Sequence, residues 1–147
     1  MADKKLIQYV HHIHYVVHNR DEMVKYIEKN FGMKPDDLID YKDGKGRGMR
    51  DAIYDIGKTH IQITEALDPS CKIAQHLAKC GPGVYHVAWG IEGIDKLAKD
   101  LAAKGNKMTG TEGITQSSRG YKTANIDTDS SLGVWFQFAE GERQTKG

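Results

Sequence analysis

The 147-residue sequence contains little cysteine, few aromatic residues and no excess of charge of either sign. Its 21 basic residues nearly balance 20 acidic residues, which argues against a nucleic-acid or strongly anionic partner. The longest apolar runs are too short to span a membrane, and the start "MADKKLIQ" lacks the apolar stretch of a signal peptide. We therefore expect a cytoplasmic protein without a membrane or nucleic-acid partner.

Cysteine occurs only at Cys71 and Cys80. In a chain without a secretory signal, two reduced, structural thiols are the expected state. The sequence has no CxxC and no Cys/His finger spacing, so it does not support a structural zinc site. The length is that of one domain.

The sequence contains an internal repeat, which is the main clue to its organisation. The segment "VHHIHYVV", starting at Val10, resembles "VYHVAWGI", starting at Val84, and places His12 on His86, 74 positions later. The segment "HIQITEA" (60–66) resembles "WFQFAEG" (135–141) and places Gln62 on Gln137, 75 positions later. We interpret the chain as a single domain of two modules, about 7–67 and 83–141, joined by a linker at 68–82.

Each module is predicted to contain a strand, a helix and then two or three strands. Residues 9–17 alternate with period two, as in a strand, and a helix follows that Asn19 or Asp21 caps and Gly32 ends. The glycine-rich segment 41–50 reads as a mobile loop, and "SCKIAQHLAK" as a short linker helix. The other predicted elements are strands at 51–57, 59–67, 121–127 and 133–139, and a helix that ends at Gly105.

Strand parity separates the three neighbouring histidines of the first strand. His12 and His14 share one face, whereas His11 lies with Ile13 and Tyr15 on the other. A helix must cover one face of each small sheet, and the more apolar face with Ile13 and Tyr15 is the better candidate. We therefore expect His12 and His14 to face away from the helix.

These patterns resemble the vicinal oxygen chelate superfamily of glyoxalases and bleomycin-resistance proteins, and most closely its methylmalonyl-CoA epimerase branch. The similarity extends from "VHHIHYVVHNRDEMVKYIEKNFGM" through the "HVAW" strand. It implies an α+β fold in which two paired βαβββ modules form a cup-shaped mixed sheet. It also implies a small-molecule carbonyl substrate and a homodimer.

The resemblance implies a metal site formed by His12, Gln62, His86 and the residue at position 137. In the relatives that last position is a glutamate, which serves as a metal ligand and is commonly described as a base. Here Gln137 offers only a neutral carbonyl oxygen. A divalent transition metal would therefore be held more weakly than in the relatives, and a metal-independent site is the alternative.

The activity implied is racemisation or epimerisation, in which the proton on a carbon α to a carbonyl is exchanged through an enolate. His12 and His86 would stabilise the enolate oxygen, and Gln62 and Gln137 would bind the substrate. His14 and Asp51 are the candidate proton shuttles, with a structural role equally open for both. The segment "SSRGY" aligns with a substrate loop of the relatives, so its first three residues either hold a polar substrate group or make a turn: Ser117, Ser118 and Arg119.

Without the glutamate, a substrate whose C–H bond is already acidic is favoured, such as the aryl ketone of an isoflavanone (dihydrodaidzein). Methylmalonyl-CoA is the alternative substrate, and a non-catalytic small-molecule binding or resistance protein is the rival class. Dioxygenase and glyoxalase chemistry use a carboxylate at the metal, so Gln137 counts against both. The other histidines are interpreted as structural or solvent-facing: His11, His18, His60 and His76.

Overall fold

The computed structural model describes residues 4–42, 48–110, 112–117 and 119–143. The chain forms two compact units. The N-terminal unit comprises His12–Tyr85, and the C-terminal unit combines the residues up to His11 with His86–Gly147. No helix within the described ranges is long and apolar enough to cross a membrane.

The N-terminal unit contains most of β1 (Tyr9–Val16) followed by α1 (Arg20–Phe31), β2 (Asp37–Lys42), β3 (Gly48–Ile56), β4 (Thr59–Ala66) and α2 (Lys72–Cys80). Its strands lie in the order β2-β3-β4-β1, with β1 parallel to β4 and the other pairs antiparallel. Asn19 caps α1 by accepting a hydrogen bond from the Glu22 backbone N–H, and Gly32 ends the helix in a left-handed conformation (φ 68°).

Helix α1 covers one face of this sheet and thereby defines the other face as the polar one. Val24 and Ile27 of the helix pack against the cluster that contains Ala52 and Tyr54 of β3. Tyr15 of β1 packs there as well. Because side chains alternate along a strand, His12 and His14 point away from the helix, as predicted.

The C-terminal unit repeats the same sequence of elements. It contains most of β5 (Gly83–Gly90), followed by α3 (Ile94–Ala103), β6 (Thr115–Gln116), β7 (Lys122–Asn125) and β8 (Gln137–Glu140), with strand order β5-β8-β7-β6. Strand β5 is parallel to β8, and the β8–β7 and β7–β6 pairs are antiparallel. Trp89 is partly buried and packs against the apolar core that contains Ile94 and Leu97 of α3.

The structure confirms the mixed α+β fold with two βαβββ successions and corrects two local predictions. The predicted loop at 41–50 is wrong at both ends, because residues 41–42 belong to β2 and Gly48 begins β3; positions 43–47 lie outside the described residues. The strand predicted at 133–139 begins only at Gln137, since the preceding residues complete a turn in which Leu132 adopts a left-handed conformation. The proposed module boundaries stay a prediction.

Candidate functional site

The side of the N-terminal sheet opposite α1 collects polar side chains that are almost completely buried. We call this set the polar face; its members, each at most 6% exposed, are His12, His14, Asp51, His60, Gln62 and Thr64. They come from three neighbouring strands whose register pairs His14 with Gln62 and Asp51 with Thr64. Burial of polar groups destabilises the folded protein unless they are hydrogen-bonded, so we expect these side chains to bond to one another or to the backbone.

Asp51 is the centre of the hydrogen bonds on the polar face. Its Oδ1 accepts a hydrogen bond from the Thr64 hydroxyl at 2.6 Å, and its Oδ2 accepts one from Gln62 Nε2 at 3.0 Å. The β3–β4 hairpin therefore brings the predicted proton shuttle Asp51 directly beside the predicted substrate-binding residue Gln62.

His14 joins the same chain of hydrogen bonds through Thr64. His14 Nε2 lies 2.7 Å from Thr64 Oγ1. Thr64 has a single hydroxyl hydrogen, and with Asp51 ionised that hydrogen points at the carboxylate, so the Thr64 oxygen accepts from His14 Nε2–H. The neutral imidazole of His14 then carries its lone pair on Nδ1. A buried carboxylate, a hydroxyl and an imidazole are thus connected in series, as in sites where one group orients a base through another.

His60 is a member of the polar face that the sequence interpretation did not include in the candidate site. The His12 and His60 rings stack with centroids 4.8 Å apart and planes inclined by 20°, since these residues are direct partners in the parallel β1–β4 register. The interpretation of His60 as one of several structural or solvent-facing histidines overlooked this pairing. Parity already placed it on the Gln62 side of β4, and that signal was available in the sequence.

Arg20 supports the polar face from behind. Its guanidinium is buried at the start of α1 and forms ion pairs with Asp21 and Asp40, with the shorter contact of 2.7 Å to Asp40. The Arg20 Nη1 that contacts Asp40 also donates a hydrogen bond to the Asp51 backbone carbonyl at 3.2 Å. Arg20 thus ties the first helical turn to β2 and to the β3 residue that carries the buried carboxylate.

Tyr85 lies against the His14 ring at the end of the N-terminal unit. The two rings make an edge contact with centroids 5.4 Å apart, and His76 of α2 contacts Tyr85 from a centroid distance of 4.8 Å. Burial, with a smaller effect of Cys71, raises the pKa of Tyr85. The phenol therefore stays protonated near neutral pH. Both cysteines are free thiols, as expected.

In the C-terminal unit, His86 and Gln137 form a separate hydrogen-bonded pair. His86 Nε2 donates to Gln137 Oε1 at 2.9 Å, and the Gln137 amide donates to Asn125 Oδ1 at 3.0 Å. Trp135 Nε1 also donates to Asn125 Oδ1, at 2.7 Å. The centroids of the Trp135 and His86 rings lie 4.3 Å apart. Burial lowers the pKa of His86 to about 4, against a smaller raising effect of the Gln137 bond, so the imidazole is neutral at pH 7. Asn125, which orients Gln137, was not among the predicted residues.

Two of the remaining predicted positions have local structural contacts. Ser117 Oγ accepts a hydrogen bond from the Arg119 backbone N–H at 3.1 Å, within a turn, while Ser118 lies outside the described residues. A substrate role for this segment stays a prediction. His11, interpreted as structural, lies within 2.7 Å of the Gly141 carbonyl through Nε2 and packs edge-on against Tyr121. Burial lowers the pKa of His11, with a smaller opposing effect of the Gly141 bond.

The chain belongs to the glyoxalase/bleomycin resistance protein/dioxygenase superfamily, whose family model matches residues 11–124. Its α+β architecture is that of the vicinal oxygen chelate fold. Among curated proteins, no sequence matches the chain significantly.

Solved structures share the fold at low sequence identity. A methylmalonyl-CoA epimerase from Mycobacterium tuberculosis is 22% identical, with a TM-score of 0.77 over 95% of this chain and 92% of that one. A hypothetical protein from Bacillus halodurans is 24% identical, with a TM-score of 0.73 over 94% and 97% of the two chains. A Streptomyces coelicolor methylmalonyl-CoA epimerase in complex with 2-nitronate-propionyl-CoA is 20% identical, with a TM-score of 0.74 over 92% and 95%.

Proteins of this superfamily typically bind a divalent metal, which requires several donor atoms close together. The polar face offers ring nitrogens of His12 and His60 that lie within 4.8 Å of each other. In the C-terminal unit, His86 and Gln137 offer a nitrogen and an amide oxygen. These donors are neutral, and both oxygens of Asp51 already accept hydrogen bonds from protein groups. Such donors suit a transition metal that prefers imidazole rather than a hard, oxygen-seeking cation.

Proposed function

We propose that this protein is a racemase or epimerase that exchanges the proton on a carbon α to a carbonyl. The observation that carries the proposal is the buried Asp51–Thr64–His14 series, in which an imidazole is oriented through a hydroxyl by a carboxylate. Proton exchange needs a base of this kind close to neutrality, and histidine has the appropriate unperturbed pKa. The family relationship and the epimerase folds found among the solved structures support this reaction class without identifying the substrate.

In the proposed reaction, His14 removes the proton of the substrate through Nδ1. The C–H bond breaks, its electron pair becomes the carbon–carbon double bond of the enolate, and the carbonyl oxygen takes the negative charge. The planar enolate then turns its other face towards His14, whose Nδ1–H returns the proton to that carbon, which gives the other stereoisomer and restores the neutral imidazole. Thr64 and Asp51 hold the Nε2–H of His14, so that the same nitrogen accepts and returns the proton. His12 and Gln62 would hold the carbonyl oxygen from the same face.

Members of this family that bind a metal use it to polarise a carbonyl oxygen, and a bound metal would supply that chemistry here. The residues that would hold it are His12 and Gln62 in the N-terminal unit and His86 and Gln137 in the C-terminal unit. The residues of the chain itself provide the base and its orientation. We also propose that the protein is a homodimer, which a light-scattering measurement of molar mass tests directly.

The substrate we propose is an acidic aryl ketone such as an isoflavanone, with methylmalonyl-CoA as the alternative. The reason is the neutral Gln137 at the position where the relatives carry a glutamate. Loss of that carboxylate is tolerated best when the substrate C–H bond is acidic already. Rapid epimerisation of methylmalonyl-CoA with no action on isoflavanones would exclude our preferred substrate and leave the reaction class intact.

The test compares Thr64→Val with Thr64→Ser. Both proteins would be incubated in D2O with enantiopure dihydrodaidzein and with methylmalonyl-CoA, and α-deuterium uptake would be followed by mass spectrometry. Valine has nearly the shape of threonine and removes the hydroxyl, so we expect its exchange rate to fall by about 10²-fold or more. Serine retains the hydroxyl and should keep a rate closer to that of the unmodified protein.

Thermal melts followed by circular dichroism show that each variant folds. Equal exchange rates in both variants would refute the role of the Asp51–Thr64–His14 series. No exchange into any compound, together with tight binding of an aromatic ligand, would refute the enzyme proposal and favour a binding or resistance protein.

A further inference from the structure

The His12–His60 pair is a distinctive feature of the polar face, and the proposed reaction leaves His60 without a role. Both side chains are buried, at 2% and 4% exposure. Their ring nitrogens lie within 4.8 Å of each other, and the rings are nearly parallel at a centroid distance of 4.8 Å. The parallel register of β1 and β4 fixes this arrangement, because each residue is the direct partner of the other.

The separation of these nitrogens is close to that of two ligands on a single metal ion, and because a metal lies in the plane of each imidazole that binds it, the stacked rings would also rotate on binding. Imidazole nitrogens bind Zn²⁺ at about 2.0–2.1 Å in a tetrahedral arrangement, which places two of them roughly 3.4 Å apart. From the separation in the structure, a movement of less than about 1 Å by each ring closes the gap. Side-chain rotation alone achieves such a movement, and the strand backbones stay in register.

The neighbouring residue on β4 adds a third donor. Gln62 lies two positions after His60 on the same strand and the same face, and its amide nitrogen donates to Asp51. Its amide oxygen is the chemically distinct end of the group and can act as a neutral ligand. A second imidazole nitrogen offsets part of the affinity lost where relatives carry a glutamate and this chain carries Gln137, because imidazole is a good ligand for transition metals.

We propose that His60 is a ligand of a divalent transition metal on the polar face, acting together with His12. This role lies outside the ligand set that the family resemblance implies, in which the β4 residue is Gln62 alone. The proposal concerns the polar face used by the proposed racemase reaction, but it is tested by binding rather than by turnover.

The experiment uses the full chain freed of metal with a chelator and titrated with Zn²⁺. Isothermal titration calorimetry would compare the unmodified protein with His60→Phe, which keeps an aromatic ring against His12 and removes both ring nitrogens. The matched control is His76→Phe, since His76 is a histidine of the same unit with an aromatic contact outside the polar face. We expect the dissociation constant to rise by about tenfold or more for His60→Phe and to change little for the control.

Imidazole NMR spectra recorded during the Zn²⁺ titration provide the second measurement. The ring-nitrogen resonances of His12 and His60 should shift together with the first equivalent of metal. Unchanged affinity in a folded His60→Phe protein, or a shift of His12 without His60, would overturn the proposal, as would the absence of Zn²⁺ binding to the unmodified protein. Binding that depends on His60 in a protein without exchange activity would refute the proposed function alone.

Discussion

Burial of His86 as a neutral imidazole makes the stability of the protein depend on pH in a defined window. Its pKa is about 4 in the folded protein, against an ordinary value of 6.5. Between these values the unfolded chain binds more protons than the folded chain, so the free energy of unfolding falls as the pH is lowered. The full difference of about 2.5 pH units corresponds to roughly 3 kcal/mol, and about 2 kcal/mol of it is lost between about pH 7.5 and about pH 5.

The assay is urea unfolding of the metal-free protein at about pH 7.5 and about pH 5, for the unmodified chain and for His86→Gln. Glutamine retains an N–H that can donate to Gln137 but does not titrate. Other histidines contribute equally to both proteins, so the difference between their pH effects isolates His86. We expect the fall in the free energy of unfolding between the two pH values to be about 2 kcal/mol smaller for His86→Gln than for the unmodified protein. His18→Gln, at an exposed position, is the reference for removal of one imidazole. Identical pH dependence of the unmodified protein and His86→Gln would refute the assigned burial of a neutral His86.

Two further predictions concern contacts in the C-terminal unit. Gly90→Ala should lower the free energy of unfolding by about 1–3 kcal/mol, because a Cβ there would meet the Tyr9 ring at 2.4 Å. Chemical denaturation of Gly90→Ala and of the double variant with Tyr9→Ala measures this loss. A failure of the second change to restore stability would contradict the clash with Tyr9 as its cause. Gln137→Glu should raise the pKa of His86 clearly above its present value of about 4, since it places a carboxylate beside the imidazole. An NMR titration measures this pKa, and a value still near 4 would contradict the observed contact.

The fold was largely predictable because its signals are periodic and local. Alternation in β1, the cap at Asn19 and the left-handed stop at Gly32 each depend on a few adjacent residues. Because the sequence repeats, the elements predicted in one module could also be expected in the other. Strand β2 was not predicted. Its last two residues and the start of β3 lie in a glycine-rich, charged segment, which resembles a loop in the sequence. The late start of β8 was also missed, because the alternation of 133–139 begins in the turn that precedes the strand.

The candidate site was predictable in its positions and unpredictable in its connections. Parity placed His12 and His14 on the face opposite the helix, and the structure confirms it. The sequence distance between Asp51 and Gln62 left their relation open, and only the hairpin register brings their side chains to 3.0 Å. The partner of His12 depended on the pairing of β1 with β4, which are distant in sequence. Register between distant strands is a property of the whole fold, and no local pattern encodes it.

The two-residue period of β1, β3 and β4 also determines how this protein can change over time. The polar face depends on every second residue of three strands in a fixed register. Insertion or deletion of one residue inside any of them would transfer the imidazoles or the carboxylate to the surface packed against α1, and apolar side chains would take their place. Point substitutions can retune the chemistry step by step, whereas changes in chain length are tolerated only between the strands. We therefore expect length differences in descendants of this sequence at the turns and at the segment around α2.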